Sequence, residues 1–239
     1  MPRALSISWS EGVSDAEAQV LLETVEQTLN WLYFRHPSAF YDPPILVRVY
    51  GNWIIPAIGE DYPYGGIRWY VEASYDQGLQ RVIAPVYLEL VRREPWQRMD
   101  PHFDLVLLGE DLTEFPAPLA RLYAGHYALG ASFPGMAAVM SLWRLRQIAD
   151  EELRRLALAR LVRHHLGHVL AIPPFERREE VARRGLEMHC TRRCVMRHAE
   201  TVEHLMALTL EEAEMGWPFC ALCTQALHSA IIRYDQEWS

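Results

Sequence analysis

Two histidines four residues apart, His164 and His168, begin the stretch of this chain that could do chemistry. They lie in an apolar repeat that predicts a helix from about Glu151 to Ile172, so both imidazoles project from one face about one turn apart. That spacing suits two ligands of one zinc ion, and the chain can return with a third imidazole from His189. The sequence therefore predicts a three-nitrogen zinc site formed by His164, His168 and His189.

The four cysteines of the chain form two closely spaced pairs. Cys190 and Cys194 are separated by three residues, and Cys220 and Cys223 by two. Such pairs are typical of a structural zinc site with four thiolate ligands, and they favour zinc over disulfides where thiols stay reduced. His189 is directly followed by Cys190, so one segment would support both sites. The predicted cofactors are therefore two zinc ions.

The order of these residues resembles the archaemetzincins, a family of metzincin-type zinc metallopeptidases. The segment His164 to Pro173 resembles the family's zinc-binding helix, which carries the motif HExxHxxGxxH. His189–Cys190 and Cys194–Met196 resemble the third ligand, two thiolates and the methionine turn beneath the zinc, while Cys220 and Cys223 resemble the remaining thiolates. The resemblance implies that Met196 forms the methionine turn and that the protein is a zinc-dependent hydrolase.

The expected architecture combines this resemblance with the pattern along the chain. Strands and helices alternate through the first 145 residues, and mostly helical patterns follow, which indicates an α/β fold. We expect one metzincin-like domain over 1–239, with a twisted mixed sheet and an active-site helix. Its N-terminal α/β subdomain would span 1–172, and a zinc-braced, mostly helical C-terminal subdomain would span 173–239. The resemblance is carried by about residues 100–235.

Hydrophobic periodicity places the individual elements. We predict helices from the capping-box pattern at Ser14 to about Tyr33 and over 77–93, where Pro85 must either kink the helix or mark its first turn. Asp150 is expected to cap the zinc-binding helix. Strands are predicted by short apolar or alternating runs, at Ala4–Trp9, Ile45–Tyr50, Phe103–Leu108, Tyr127–Ser132 and Ala137–Leu142.

Three departures separate the chain from the family pattern. His165 occupies the position of the catalytic glutamate, whose loss typically slows the reaction by roughly 10²–10⁴-fold. Ala171 replaces the glycine that turns the chain after the helix, and alanine is strained there if the turn needs a positive φ. Residues Pro174 to Met188 are inserted before His189, and we expect them to form a short helix over the cleft.

His165 has three possible roles. It could act as a substitute general base, because a neutral imidazole can accept a proton near neutral pH. It could close the tetrahedron as a fourth metal ligand, since a closed zinc site is structural and an open one catalytic. It could also be a bystander that leaves the zinc site without a base. No catalytic residue is therefore assigned with certainty.

Composition excludes several classes of protein. The chain has no lysine, which rules out a Schiff-base lysine and a P-loop lysine. The net charge of −8 disfavours nucleic acid as a partner. No secretion signal or membrane span is recognisable, so we expect a cytoplasmic protein with no membrane association and a peptide or small molecule as the ligand of its cleft.

Three functions remain open at this point. The first is an archaemetzincin-like zinc protein that is impaired or inactive as a peptidase because the general-base glutamate is absent. The second is an active, aminopeptidase-like zinc enzyme that uses His165 or a glutamate of the insertion, Glu179, Glu180 or Glu187, as its base. The third is a zinc-braced binding module whose arginine-rich segment from Leu153 to His198 recognises an anionic partner.

Overall fold

The structure is a computed structural model that describes residues 3–35, 45–52, 62–115, 117–123 and 125–236. Five strands of these residues form a mixed sheet: β1 (Leu5–Trp9), β2 (Val47–Gly51), β5 (Phe103–Leu108), β7 (Gly130–Phe133) and β8 (Ala137–Ser141). Their order in the sheet is β2-β1-β5-β8-β7. The first four pair in parallel, and the edge strand β7 pairs antiparallel with β8.

Helices cover both faces of this sheet. Leu5, Ile7, Leu105 and Leu107 share one core cluster with helix α1 (Asp15–Arg35) and helix α6 (Glu151–Val169). The alternate residues of β5 belong to a second cluster on the opposite face, with α2 (Ile67–Ser74) and α3 (Ala84–Arg93), and the short helix α4 (Pro95–Met99) follows α3. Because helices cover both faces of β5, all six of its residues are buried, as expected for a parallel strand.

The predicted helix over 77–93 is wrong in its first half. Arg81–Ile83 forms strand β4, which pairs with β3 (Tyr75–Asp76) and in parallel with β6 (Leu112–Thr113). The helix α3 begins at Ala84 with Pro85 in its first turn. An earlier start would place Pro85 in a helix interior, where its missing N–H breaks a hydrogen bond.

The remaining predicted elements are present with shifted ends. Ser14 and Glu17 exchange hydrogen bonds as a capping box at the start of α1. Asp150 caps α6 by accepting a hydrogen bond of 2.9 Å from the backbone N–H of Leu153. A short helix α5 (Ala117–Leu122) precedes β7. Together with the sheet order, these elements confirm the predicted α/β fold with a twisted mixed sheet.

The C-terminal part contains two helices and a hairpin. Helices α7 (Val202–Ala213) and α8 (Ala221–Gln236) were expected. The helix predicted over Pro174–Met188 is wrong, because strands β9 (Val181–Arg184) and β10 (Glu187–Cys190) pair antiparallel there. A two-residue loop joins the strands, and Gly185 has the positive φ of 57° that such tight turns need. None of the described helices is long and apolar enough to cross a lipid bilayer.

Candidate metal centre

Helix α6 delivers two of the three predicted histidine ligands into the protein interior. His164 and His168 lie in the last turns of α6, and both are at most 4% exposed. Gly167 lies between them, and a Cβ atom at this position would overlap the side chain of Met196. Met196 is fully buried against the helix at that point. The glycine therefore allows the segment predicted as the methionine turn to pack directly beneath the two histidines.

Strand β10 brings His189 to the same place. One nitrogen from each of His164, His168 and His189 lies within 4.8 Å of the others. The Nε2 atoms of His164 and His168 are 3.1 Å apart, a separation typical of two ligands of one ion. Neither ring nitrogen of His189 makes a hydrogen bond to any residue that the structure describes. A metal ion would satisfy these nitrogens, so the three residues fit a zinc site.

The surroundings keep the imidazoles in the form that binds metal. His164 Nδ1 donates a hydrogen bond of 2.8 Å to the carbonyl oxygen of Val195, which leaves Nε2 with a free lone pair. Burial lowers the pKa of His164 well below its usual value and lowers that of His168 to about 3. Both rings are therefore neutral at physiological pH, and only a neutral imidazole can ligate zinc.

A carboxylate from the hairpin reaches this histidine cluster. Glu187 Oε2 lies 3.3 Å from His189 Nε2 and 4.0 Å from His168 Nε2. Burial raises the pKa of Glu187, but the neighbouring imidazoles of His168 and His189 outweigh burial and lower it. The inserted segment thus places a carboxylate beside the three histidines, and the only signal for this in the sequence is that Glu187 precedes His189 by two residues.

His165 lies apart from the group of three nitrogens. Its Nδ1 is 2.8 Å from the hydroxyl oxygen of Ser132 on the edge strand β7. Its ring also packs so closely against Gly130 that a Cβ atom at that position would overlap the ring. His165 is 3% exposed, and burial lowers its pKa to about 4. The side chain is a neutral imidazole that connects the helix to the edge strand.

The four predicted thiolate residues also meet. One sulfur from each of Cys190, Cys194, Cys220 and Cys223 lies within 4.8 Å of the others, and none of the four forms a disulfide. The backbone N–H of Cys220 donates to Cys194 Sγ over 3.3 Å. Four free thiols this close, arranged around one point and partly hydrogen-bonded by backbone N–H groups, fit a tetrahedral zinc site.

An arginine of the insertion covers this cysteine cluster. Arg177 Nη1 donates to Cys223 Sγ over 3.3 Å, and its Nη2 lies 3.7 Å from Cys190 Sγ. The guanidinium also donates to the carbonyl oxygen of Glu179 over 2.8 Å, which fixes its orientation. Arg177 therefore brings positive charge to a group of sulfurs that would be anionic when they hold zinc.

A cleft of about 330 Å³ opens onto His164 and His165 of α6. Residues 126–130, which lead into β7, form one side of it, and the hairpin and the segment before α7 form the other. At its rim Arg184 of the hairpin forms an ion pair with Glu200. The edge of a β-sheet can bind an extended peptide as an additional strand, and β7 is an edge strand of this sheet.

Two residues of this cleft were not recognised in the sequence. His198 lines the cleft, and its ring centroid lies 4.7 Å from that of His189. His126 lines the cleft beside Glu114, whose Oε1 is 3.4 Å from its Nε2. Neither has a motif of its own, and their positions depend on loops.

Two solved structures have a fold similar to the one described above. The structure is similar to that of archaemetzincin from Methanopyrus kandleri, with a TM-score of 0.58 and 20% sequence identity over 97% of each chain. It is also similar to archaemetzincin from Archaeoglobus fulgidus, with a TM-score of 0.54 and 18% identity over 93% of this chain and 99% of that one. No protein-family model matches this sequence, and neither does any curated protein sequence. The similarity shows an archaemetzincin-like fold.

Proposed function

We propose that the protein is an archaemetzincin-like zinc protein whose histidine cluster, His164, His168 and His189, holds one zinc ion at the wall of the cleft. The proposal is carried by the convergence of three buried imidazole nitrogens, one pair of them only 3.1 Å apart, beside an open cleft. Zinc bound there would supply Lewis-acid polarisation of a carbonyl group. The ligand of the cleft would be a peptide or a small molecule with an amide-like group.

The cysteine cluster would hold a second zinc ion with a structural role. Cys190 directly follows His189 on β10, and Cys194 precedes Met196 by two residues. A four-thiolate zinc would therefore fix both the third imidazole ligand and the methionine beneath the site. Structural zinc sites of this kind contribute directly to folding stability.

The position of His165 supports an impaired peptidase. A general base must lie within hydrogen-bond reach of the water that it deprotonates. His165 Nδ1 instead lies within hydrogen-bond distance of Ser132, and the ring is confined by Gly130. In this arrangement His165 stabilises the edge strand and does not supply the missing carboxylate. The site would bind its ligand and turn it over slowly or not at all.

Glu187 favours a second candidate, an active zinc hydrolase. Its carboxylate lies 3.3 Å from His189 Nε2, on the same side as the cleft that it lines. From there it could take a proton from a water molecule that attacks a bound carbonyl group and pass that proton to the leaving amine. The insertion that disrupts the family motif would then have restored a base from another element.

Hydrolysis of a mixed peptide library by zinc-loaded protein separates these candidates. The impaired form predicts negligible turnover by the wild type and a gain of turnover in His165→Glu. The second candidate predicts wild-type turnover that falls by roughly 10²–10⁴-fold in Glu187→Gln.

The zinc content of each variant must be measured in parallel, because loss of the metal would also abolish turnover. Glu176→Gln is the matched control, since Glu176 is an exposed glutamate of the same insertion that does not line the cleft. Efficient wild-type turnover that survives Glu187→Gln but is lost in His165→Ala would contradict both candidates as stated and make His165 the base.

A further inference from the structure

A second group of titratable side chains lies on the opposite face of the sheet from the zinc-binding helix. Glu94 connects α3 to α4, His102 precedes β5, and Asp104 is the second residue of β5. All three are less than 9% exposed. In the register of the sheet Asp104 is the direct neighbour of Ser6 on β1, so both side chains leave the same face.

One atom of each side chain points to a common centre. His102 Nε2 lies 2.9 Å from Glu94 Oε1 and 3.5 Å from Asp104 Oδ1. The three candidate ligand atoms lie within 4.8 Å of one another, as in the histidine and cysteine clusters. Two carboxylates and one imidazole at this spacing form a ligand set of mixed oxygen and nitrogen atoms.

The outer oxygen of each carboxylate is held by a neutral donor. The hydroxyl of Tyr70 donates to Glu94 Oε2 over 2.6 Å, and the side-chain amide of Gln97 donates to Asp104 Oδ2 over 2.8 Å. Both donors leave the inner oxygens, Oε1 and Oδ1, directed towards the imidazole. Carboxylates that ligate metals are oriented by hydrogen bonds in this way.

The imidazole of His102 is oriented as well. Its Nδ1 lies 2.6 Å from the carbonyl oxygen of Asp100, and because a carbonyl can only accept, Nδ1 carries the hydrogen. In the neutral ring Nε2 therefore presents a lone pair to two carboxylate oxygens. A cation must lie among these three acceptors, and it is either a second proton on the ring or a metal ion.

Polar atoms without partners line the cavity next to this cluster. Ser6, 4% exposed, has a buried hydroxyl that makes no hydrogen bond to any described residue, and the same holds for the indole Nε1 of Trp96. Both residues line a cavity of about 190 Å³ together with Glu94, His102 and Asp104. Leaving buried polar atoms unsatisfied is costly, so these atoms indicate a missing polar ligand.

We propose that Glu94, His102 and Asp104 form a third metal site, with the Ser6 hydroxyl available as a further ligand, and that it takes a divalent cation. A ligand set of several oxygen atoms and one imidazole suits Mn²⁺, whereas the thiolates of the cysteine cluster prefer zinc. The ion would tie β5 to the junction of α3 and α4, on the face of the sheet that the histidine cluster does not touch. This site is independent of the proposed zinc function.

Titration of zinc-loaded protein with Mn²⁺, followed by the electron paramagnetic resonance signal of free Mn²⁺, tests the site. We expect the wild type and His168→Ala to bind one Mn²⁺ per chain at this site, and Glu94→Gln and Asp104→Asn to bind it at least 10-fold more weakly. Glu89→Gln is the matched control, because Glu89 is a partly exposed glutamate of α3 that does not line the cavity. The zinc content should be unchanged in Glu94→Gln, which separates this site from the two zinc sites.

A measurement on the wild type alone covers the case in which a variant fails to fold. Mn²⁺ is paramagnetic and should selectively broaden the ring resonances of His102 at substoichiometric concentration. Binding of equal strength in the wild type and Glu94→Gln would overturn the proposal. So would a His102 ring that keeps both protons and its line width at millimolar Mn²⁺, because the cluster would then be an ion triad of an imidazolium and two carboxylates.

Discussion

At the scale of single residues, the two predicted zinc sites are shaped by residues that are not ligands. Val195 fixes the tautomer of His164 through its carbonyl oxygen, and Gly167 makes room for Met196 beneath the helix. Arg177 lies over two of the four sulfurs. Hydrogen bonds from such partners typically change metal affinity by 10–100-fold when they are removed.

Replacing Arg177 should loosen the metal of the cysteine cluster. A zinc ion with four thiolates carries a net negative charge, which the guanidinium of Arg177 partly neutralises. We expect Arg177→Met to release zinc to a competing chelator roughly 10–100-fold faster than the wild type. Arg178→Met is the matched control, because Arg178 is the exposed neighbour of Arg177. Equal release rates in the two variants would show that Arg177 does not stabilise the site.

Sequence patterns reveal ligands at this scale better than they reveal the groups around them. The spacing of His164, His168 and the four cysteines is set by local geometry, which a helix period or a tight loop fixes. The contact of His165 with Ser132 joins residues 33 positions apart, and no local pattern encodes it. The same is true of Glu94, His102 and Asp104, which the sheet register and a helix junction bring together.

At the scale of secondary structure, the insertion is the element that the sequence predicted least well. It was expected to be a helix over the cleft, and it forms a hairpin whose second strand carries Glu187, His189 and Cys190. Strand pairing fixes these residues more firmly than a loop would, because backbone hydrogen bonds join the two strands. Non-local pairing also explains β4, where Val82 and Ile83 pair with β6 instead of extending a helix.

The turn after α6 contains a residue in a strained backbone conformation. Ala171 has a φ of 58°, a conformation that costs an ordinary residue about 1–2 kcal/mol and glycine almost nothing. Its N–H donates to the carbonyl oxygen of His168 over 2.8 Å, so the turn that follows the second ligand depends on this conformation. The expectation that alanine would be strained here if φ were positive is confirmed.

Ala171→Gly should therefore stabilise the protein. Relief of the backbone strain, less the added flexibility of glycine in the unfolded chain, leaves a gain on the order of 1 kcal/mol. In a chain of this size that corresponds to a rise in melting temperature of about 2–4 °C, measured with zinc present. Ala207→Gly, at an exposed position inside α7, should lower it by a similar amount. Equal changes in melting temperature in the two variants would show that Ala171 is not strained.

At the scale of the whole molecule, the three candidate metal-binding clusters lie in different parts of the fold. The histidine cluster joins α6 to β10, and the cysteine cluster joins β10 to the segment from Cys220 to Cys223 at the start of α8. The third cluster lies on the other face of the sheet, which α2 and α3 cover. The division into subdomains between residues 172 and 173 stays a prediction. Because β10 contributes residues to both the histidine cluster and the cysteine cluster, the two parts would be difficult to separate.

The zinc content of purified protein and two variants tests the central claim most directly. The account predicts two zinc ions per chain in the wild type, one in His168→Ala and one in Cys223→Ser, because each variant disrupts a different site. One zinc or none in the wild type would contradict it. Two ions retained in His168→Ala would equally contradict it, because zinc would then not depend on the histidine cluster.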